Sequence, residues 1–246
     1  MELSGNTILI TGGGSGIGEA LAHRFHDSGN VVVIAGRRAA ALDRACTGRA
    51  NMHSIVFDVS DAAGTGAFAR QVLERFPDLT VLVNNAGIMR LEAIGASRDL
   101  GDARSTIETN LLGPIRLIDA LVDHLATRPA SAIINVTSGL AFVPLVTAAS
   151  YSASKAAMHS YTVSLRKALA GRVEVIELAP PAVQTTLTPG QESREGYQPL
   201  DDFADEVMAL FAQSPTPHEI LVRNVLPLRH AEAEGNFQQR LDGLNG

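Results

Sequence analysis

The sequence predicts an α/β protein built on one doubly wound parallel sheet. Short runs of aliphatic and β-branched residues alternate with longer amphipathic segments over nearly all 246 residues. Most of the short runs are almost wholly apolar, as is typical of strands that are buried on both faces of a parallel sheet. A glycine-rich stretch directly follows the first run, at the edge where sheets of this kind bind ligands.

Seven runs are too short to be helices and are predicted as strands. They are Thr7–Thr11, Val31–Ala35, His53–Phe57, Thr80–Val83, Ala132–Thr137, Val173–Leu178 and Glu219–Val222. Helices are predicted between them, at about 17–28, 38–46, 61–75, 98–127, 151–170 and 201–213. In the first helix Ile17, Leu21 and Phe25 recur every four residues and form one apolar stripe. No linker or repeat divides the chain, so one domain over residues 1–246 is expected.

Residues 186–200 depart from this alternation. They are mostly polar and contain Pro189, Gly190, Gly196 and Pro199, which predicts a long loop. Long loops in compact domains often cover a functional site, so the segment is interpreted as a lid over the substrate. Leu187 and Tyr197 are its largest apolar groups and are expected to face the substrate. The alternative is an insertion without a functional role.

Composition argues against several classes of protein. The chain has 20 Lys and Arg against 26 Asp and Glu, a formal net charge of −6, and no basic run, which does not favour a nucleic-acid partner. It lacks an uninterrupted apolar run of about 18 residues, so no membrane span is expected. The first residues show no signal-peptide pattern, and the single cysteine, Cys46, fits a reducing compartment. A cytoplasmic location is therefore expected. The seven histidines form no ligand pattern with acids or cysteine, so no catalytic metal is expected.

The first predicted strand leads into a glycine-rich turn, Thr11-Gly12-Gly13-Gly14-Ser15-Gly16-Ile17-Gly18. Glycines permit a tight turn and let backbone N–H groups approach a pyrophosphate, and the following helix presents its positive end to the anion. The third glycine of a Gly-x-Gly-x-x-Gly pattern would fall on Ile17, so here Gly12, Gly16 and Gly18 carry the turn. A plain structural turn is the alternative.

The end of the second strand indicates which dinucleotide is bound. A free ribose 2′-hydroxyl is usually held by an acidic residue about 20 residues past the glycines. Here the strand ends in Gly36-Arg37-Arg38, and no acid occurs before Asp43. Two guanidinium groups favour a 2′-phosphate, which arginine can hold with paired hydrogen bonds. The alternative is that both arginines are solvated charges at the start of a helix.

Tyr151 and Lys155 are four residues apart at the start of a predicted helix and therefore share one face. A nearby ammonium group stabilises phenolate, so Lys155 is expected to lower the pKa of Tyr151 and to enable proton transfer near neutral pH. Ser138 follows the strand at 132–137, on the ligand-binding edge, where its hydroxyl can hold the same substrate oxygen. Alone, the Tyr-x-x-x-Lys spacing is mostly structural; the serine and the glycine turn favour a functional reading.

Asn110 lies within a long predicted helix, and Pro114 follows four residues later. Proline has no N–H to offer the Asn110 carbonyl, so the helix is expected to bend there, with Gly113 easing the bend. The freed carbonyl can hold a water in line with Lys155 and connect the site to solvent. The alternative is a proline kink with Asn110 as a bystander.

Together these residues resemble the short-chain dehydrogenase/reductase family in its minimal, single-domain form. The resemblance rests on the Thr11–Gly18 turn, Asp58-Val59, Asn84-Asn85-Ala86-Gly87, Asn110, Ser138, Tyr151 and Lys155, in that order along the chain. It implies a Rossmann-like fold with seven parallel strands and hydride transfer between a nicotinamide dinucleotide and a carbonyl or alcohol carbon. It also implies that Tyr151 is the general acid or base, that Lys155 lowers its pKa and binds the ribose, that Ser138 orients the carbonyl and that Asn110 holds a relay water.

The resemblance implies further cofactor contacts. Arg37 after Gly36 is the family's NADP-preferring pattern, so the expected cofactor is NADP(H). Asp58 and Val59 match positions beside the adenine, and Asn84, Ala86 and Gly87 match positions along the cofactor, which the turn residues Ser15 and Ile17 also contact. After the sixth strand, Pro180-Pro181 stands where the family usually has Pro-Gly, while Val183 and Thr185 remain in register; Pro180, Val183 and Thr185 are expected to contact the nicotinamide end. The Pro-Pro pair resembles a branch related to the oxidoreductase found with lipoteichoic-acid D-alanylation proteins.

The predicted function is reduction of a carbonyl by NADPH and the reverse oxidation. Apolar residues near the expected pocket favour a hydrophobic or aromatic ketone or aldehyde: Leu140, Phe142, Val143, Leu145 and Leu187. Two alternatives remain, a dinucleotide-binding sensor without catalysis and a nucleotide-sugar epimerase or dehydratase, although relatives of the second kind usually have a larger C-terminal domain. The resemblance implies a homodimer or homotetramer formed through the helix at 98–127 and the Tyr151 helix. The first of these helices carries more apolar residues than one face needs, which indicates an interface with a partner helix. They are Leu111, Leu112, Ile115, Leu117, Ile118 and Leu121.

Overall fold

The computed structural model describes residues 1–246 and contains one seven-stranded sheet in which all neighbouring strands are parallel. The strands are β1 Thr7–Thr11, β2 Val31–Gly36, β3 Met52–Val56, β4 Leu79–Asn84, β5 Ala132–Val136, β6 Glu174–Leu178 and β7 Glu219–Ile220. The predicted fold class is confirmed, and the predicted strand ends differ from the observed ones by one or two residues at most.

The strand order is β3-β2-β1-β4-β5-β6-β7. The chain therefore builds outwards from β1 to β3 and then returns to place β4 on the other side of β1. The loops after β1 and β4 leave the sheet in opposite directions, and such a switch point opens a crevice at the carboxyl ends of the strands.

Helices cover both faces of the sheet. They are α1 Gly16–Asp27, α2 Ala39–Cys46, α3 Thr65–Arg75, α4 Gly101–Ile107, α5 Gly113–Ala126, α6 Ala149–Ala168, α7 Leu200–Phe211, α8 Leu226–Arg229 and α9 Phe237–Asn245. One core cluster joins the sheet to α1 and α7 through Phe25, Phe203 and Phe211, and the other joins it to α3, α5 and α6. Alternate residues of β1 enter opposite clusters, Ile8 and Ile10 the first and Leu9 the second, as the two-residue period of a strand requires.

Two helix predictions need correction, and two short helices were missed. The predicted helix at 61–75 begins only at Thr65, because the Asp61 carboxylate accepts the Gly64 backbone N–H at 2.9 Å and holds residues 61–64 in a turn. The predicted helix at 98–127 is divided by a π-helical segment, Glu108–Leu112. The short helices α8 and α9 were not predicted. None of the helices combines the length and apolar character that crossing a membrane requires.

Candidate active site

A cavity of about 460 Å³ lies at the carboxyl ends of the strands. Its wall is built from the segments that follow β1 to β6, so residues far apart in the sequence meet there. Most of the predicted site residues line it. They are Gly12, Ser15, Gly16, Ile17, Gly18, Arg37, Arg38, Asp58, Val59, Ala86, Gly87, Ser138, Tyr151, Lys155, Pro180, Val183, Thr185 and Leu187.

The glycine turn requires residues without a side chain. Gly12 has a φ of +71°, and a Cβ there would lie 2.9 Å from the Cα of Ala86. A Cβ on Gly18 would lie 2.4 Å from the Gly12 carbonyl oxygen. Any larger residue would therefore push the turn away from the segment after β4. Helix α1 begins at Gly16 without a side-chain cap, so its first N–H groups are available to an anion such as a pyrophosphate.

Asn85 fastens the turn to the segment after β4. Its side-chain amide donates to the Thr11 carbonyl oxygen at 2.9 Å, and the Thr11 hydroxyl accepts the backbone N–H groups of Asn85 and Ala86, each at 3.1 Å. The predicted cofactor residue Asn84 does not line the cavity. It is the last residue of β4, is 4% exposed, and donates to the Asn135 side chain inside the sheet. The wall position belongs to Asn85 instead.

The cavity end beside β2 carries two guanidinium groups. Arg37 is largely exposed, and Arg38 donates to the Ser15 hydroxyl at 3.2 Å. The Asp58 carboxylate lies 4.0 Å from Arg37, so the structure adds an acid to this end that sequence spacing alone did not reveal. The two guanidinium groups outnumber the acid, so this end of the cavity carries a net positive charge.

Tyr151, Lys155 and Ser138 meet at the other end of the cavity. Tyr151 and Lys155 lie on successive turns of α6 and are 8% and 4% exposed. The Lys155 ammonium nitrogen lies 5.7 Å from the centre of the Tyr151 ring and donates to the Val136 carbonyl oxygen at 2.8 Å. Ser138 lies two residues beyond β5 and contacts the phenol of Tyr151 through its hydroxyl.

Burial raises the pKa of Tyr151 to about 12, and the hydrogen bond with Ser138 opposes this rise. The expected lowering of this pKa is not present, because removal from water disfavours the phenolate more than the contacts of the phenol favour it. Burial also lowers the pKa of Lys155 to about 8. At neutral pH Tyr151 therefore keeps the proton that an acid must donate, and Lys155 is mainly charged.

Asn110 lies behind this group, in the π-helical segment that ends just before Gly113 and Pro114. The long helix is interrupted by π-helical geometry at the place where the sequence predicted a bend. The Asn110 side chain accepts the Ile88 N–H at 2.9 Å and donates to the Ile88 carbonyl oxygen at 2.9 Å. It is 1% exposed and does not itself line the cavity, although its oxygen lies 3.3 Å from where a Cβ on Gly87 would be. The Asn110 amide also donates to the Ser154 hydroxyl at 3.2 Å, so Asn110 links the segment after β4 to α6, the helix that carries Tyr151.

Sequence analysis did not identify Glu92, which fixes the start of α6. Its carboxylate accepts the Ser150 backbone N–H at 2.7 Å and the Ser150 hydroxyl at 2.8 Å, and it pairs with Arg98 at 3.0 Å. Burial opposes ionisation of Glu92, but these contacts outweigh it and hold its pKa below the ordinary value. The carboxylate caps the helix one residue before Tyr151. Glu92 lies 58 residues before Ser150 in the chain, so the local sequence pattern around α6 could not reveal this contact.

Removing the charge of Glu92 should lower stability. We expect Glu92→Gln to cost about 1 kcal/mol of unfolding free energy at neutral pH, since a helix cap and a charge at the positive helix end are lost together. For a chain of this size that corresponds to roughly 2–4 °C in Tm. Thermal unfolding measures it, with Glu74→Gln as the control because Glu74 is exposed on α3. Equal Tm values for both variants would show that the cap contributes nothing.

The segment after β6 contributes Thr185 and Leu187 to the cavity wall, and Gln191 fixes it. The Gln191 amide donates to the Val183 carbonyl oxygen at 2.7 Å and to the Thr185 hydroxyl at 3.1 Å. Tyr197 does not line the cavity, contrary to expectation; its hydroxyl accepts a hydrogen bond from Arg194 at 3.1 Å.

Leu140 is also absent from the wall, as are the three apolar residues predicted after it, Phe142, Val143 and Leu145. Ser138 caps the short helix Gly139–Ala141, and the chain leaves the cavity with that turn. Apolar contacts come instead from Ile88, Met89 and Leu187.

A partly buried ionic cluster lies next to the end of β5. The fully buried Glu177 accepts hydrogen bonds from Thr137 and His159, each at 2.7 Å, while Arg229 pairs with Glu219 at 2.9 Å. The sequence showed no ligand pattern, but the structure brings His159, Glu177 and Glu219 within 4.8 Å of one another. Since each carboxylate already has a cationic or hydrogen-bonding partner, we interpret the cluster as a brace between the sheet and α6.

Known proteins are similar to this one in sequence and in fold. The family model described as short chain dehydrogenase matches residues 6–196. An uncharacterized oxidoreductase, DltE of Bacillus subtilis (strain 168), is 41% identical over 198 residues, which are 80% of this chain and 79% of that protein.

Two solved structures have a similar fold. A short chain dehydrogenase from Burkholderia cenocepacia J2315 in complex with NADP is 27% identical with a TM-score of 0.83, covering 98% of this chain and 99% of that one. A 3-ketoacyl-(acyl-carrier-protein) reductase from Brucella melitensis complexed with NADH is 27% identical with a TM-score of 0.80, covering 89% and 96%. The family match spans the glycine turn, Ser138, Tyr151 and Lys155, so the chain belongs to the short-chain dehydrogenase/reductase family of oxidoreductases.

Proposed function

We propose that this protein uses NADPH to reduce a carbonyl compound to an alcohol and catalyses the reverse oxidation. The observation that carries the proposal is the meeting of Tyr151, Ser138 and Lys155 at one end of the cavity whose other end holds the glycine turn. A proton donor and an oxygen-holding hydroxyl are what carbonyl reduction needs beside a hydride donor. The reductase and the dehydrogenase among the similar solved structures carry names of this reaction type.

The side chains of Ser138, Tyr151, Lys155 and Asn110 have distinct roles in the proposed reaction. A bound nicotinamide dinucleotide supplies or accepts the hydride. Ser138 and Tyr151 hold the carbonyl oxygen, and the Tyr151 phenol donates its proton as the oxygen becomes an alcohol. The Lys155 ammonium stabilises the phenolate that remains, since an opposite charge within about 6 Å favours the ionised form. Asn110 holds the segment after β4, and a water at its carbonyl would return a proton from solvent.

The proposed cofactor is NADP(H), because Arg37 and Arg38 line the cavity beside β2. Gly12, Ser15, Gly16, Ile17 and Gly18 would bind the pyrophosphate, and Asp58 and Val59 would border the adenine. Ala86, Gly87, Pro180, Val183 and Thr185 would line the nicotinamide end. Ile88, Met89 and Leu187 give the substrate end an apolar surface, which supports a hydrophobic or aromatic ketone or aldehyde.

The direct test is consumption of NADPH and of NADH with a panel of aliphatic and aromatic ketones and aldehydes. We expect oxidation of NADPH that depends on both protein and carbonyl compound, with the alcohol as product. Gly18→Val is a control, since a side chain there would collide with the Gly12 carbonyl and exclude the cofactor. Tight NADPH binding without turnover of any carbonyl would favour the sensor alternative.

Reduction should depend on pH through Lys155. Its ammonium is protonated below a pKa of about 8 and neutral above it, while Tyr151, with a pKa of about 12, keeps its proton throughout this range. Once Lys155 loses its charge, the phenolate left by proton donation loses its stabilisation. We therefore expect kcat/KM for reduction to be flat near neutrality and to fall as pH rises above about 8. A profile that stays flat to much higher pH would contradict this role.

The loop at 186–200 is proposed to close over the substrate. The last part of this loop is already joined to the chain that precedes it, because the Gln198 N–H donates to the Ala182 carbonyl oxygen and the Gln198 carbonyl accepts the Gln184 N–H. The residues at 192–196 between the fixed points are exposed. We expect NADPH and a substrate analogue to slow amide exchange most at 186–190, next to the cavity, and least in the buried strands. Hydrogen exchange with and without ligands measures this, and equal protection in both states would show that the loop is not a lid.

We also propose that copies of this protein associate with one another through α5. The proposed location of the protein is the cytoplasm. Leu111, Leu112 and Ile115 are only partly buried at and beyond the π-helical segment, which leaves apolar surface for a second copy. A homodimer or homotetramer is therefore expected, and the mass in solution decides between them.

A further inference from the structure

We propose that Arg90 is an anion-binding residue of the substrate site and that the carbonyl substrate carries a negatively charged group, such as a carboxylate. This inference rests on the proposed function and narrows it. Arg90 lines the same cavity as Tyr151 and Ser138, whereas sequence analysis gave it no role. The preferred substrate would then combine an apolar or aromatic body, a carbonyl and an anionic group.

The backbone fixes where Arg90 lies relative to Tyr151. Before Arg90, Ile88 makes two hydrogen bonds to Asn110, and a Cβ on Gly87 would lie 3.7 Å from the Lys155 nitrogen. After Arg90, Glu92 is bonded to Ser150 and donates its N–H to the Thr147 carbonyl oxygen at 2.8 Å. The segment between these anchors therefore passes from Lys155 to the start of α6, where Tyr151 lies. Arg90 is therefore held beside the Tyr151 end of the cavity, and β4, which precedes it, lies two positions in the sheet from β2, which precedes Arg37.

The charge of Arg90 is only weakly paired within the protein. Its nearest carboxylate, Asp102, is 3.8 Å away, and both side chains are more than half exposed, so this pair contributes little. By contrast, the neighbouring Arg98 is paired with the buried carboxylate of Glu92. No acidic residue lines the cavity except Asp58, which lies beside Arg37.

An anion in this cavity would therefore meet a guanidinium group with hydrogen-bond donors to spare. Arginine donates in a planar fork that matches the two oxygens of a carboxylate, which gives orientation as well as attraction. Ile88, Met89 and Leu187 would contact the apolar part of the same molecule. Losing such a charge-assisted contact typically weakens the interaction roughly 10–150-fold.

The test compares a carboxylate substrate with its uncharged ester. We would measure kcat/KM with NADPH for para-formylbenzoate and its methyl ester in the wild type, Arg90→Leu, Arg90→Lys and Arg104→Leu. Arg104 is an exposed cation on α4 that does not line the cavity and so serves as the control. We expect the acid-to-ester ratio of kcat/KM to fall roughly 10–150-fold in Arg90→Leu, to recover in part in Arg90→Lys and to stay as in the wild type in Arg104→Leu.

A binding measurement separates this inference from the proposed function. Calorimetry of the NADPH-loaded protein with para-(hydroxymethyl)benzoate and its methyl ester reports recognition of the anion without turnover. Binding of the acid that is lost in Arg90→Leu, with no reduction of any carbonyl, would uphold the anion site and overturn the proposed function. Equal acid-to-ester ratios and equal binding in the wild type and Arg90→Leu would overturn the anion site, even if the ester is reduced well.

Discussion

Tyr151→Phe is expected to lower the rate of carbonyl reduction by roughly 10²–10⁴-fold, the usual contribution of a positioned proton donor. The substitution keeps the ring and removes only the hydroxyl that contacts Ser138. Because the ring still fills its buried position on α6, binding of NADPH should change little. Steady-state kinetics and fluorescence titration of the cofactor measure the two effects separately.

Tyr161→Phe is the matched control for this variant. Tyr161 lies on the same helix, is only partly buried and does not line the cavity, so its loss should leave reduction nearly unchanged. Near-normal turnover in Tyr151→Phe would show that another group donates the proton. If Tyr151→Phe loses both NADPH affinity and turnover, the phenol has a structural role instead.

Arg37→Ala is expected to weaken the use of NADPH roughly 10–150-fold while changing the use of NADH much less. The guanidinium lines the cavity, is largely exposed and lies 4.0 Å from its nearest carboxylate, so it is available to a phosphate. NADH has no 2′-phosphate, so removing the Arg37 guanidinium removes no contact with that cofactor. The measurement is kcat/KM for both cofactors in the wild type and the variant.

Arg70→Ala is the control for Arg37→Ala, since Arg70 is an exposed cation on α3 outside the cavity wall. It tests whether lowering the positive charge of the protein alone changes cofactor use.

Asp58 lies beside Arg37, and Asp58→Asn should raise the preference for NADPH further by removing a charge that repels the phosphate. A wild type that prefers NADH would contradict the interpretation of Gly36-Arg37-Arg38.

The sheet could be predicted because its strands are continuous apolar runs with few alternatives. Val31–Gly36, for example, is buried along most of its length, and its pattern does not fit a helix of that size. Helix ends were less predictable, because they depend on single polar contacts such as the hydrogen bond that the Gly64 N–H donates to the Asp61 carboxylate. The division of the long helix at Glu108–Leu112 followed from Pro114, but the π-helical form is set by tertiary packing. A Cβ on Gly113 would lie 2.5 Å from the Val59 carbonyl oxygen.

Ser138 and Asp58, which the family pattern placed at the site, line the cavity just beyond the ends of β5 and β3. Asn84 was placed wrongly by one residue, because a strand directs alternate side chains to opposite faces. Leu140 and Tyr197 were misplaced because the paths of the segments after β5 and β6 depend on long-range contacts, such as those of Gln191 with Val183. Arg90 and Glu92 carried no local signal, because their significance depends on the distant start of α6.

The most direct test of the central claim is transfer of deuterium from NADPH labelled at the hydride-donating carbon. A carbonyl compound that the panel identifies would be converted by the wild type and by Tyr151→Phe, and the alcohol would be analysed by mass spectrometry. We predict one deuterium on the carbon that bore the carbonyl oxygen, formed rapidly by the wild type and far more slowly by Tyr151→Phe. An alcohol without deuterium, or equal rates of labelling by both proteins, would contradict the account of carbonyl reduction with Tyr151 as the proton donor.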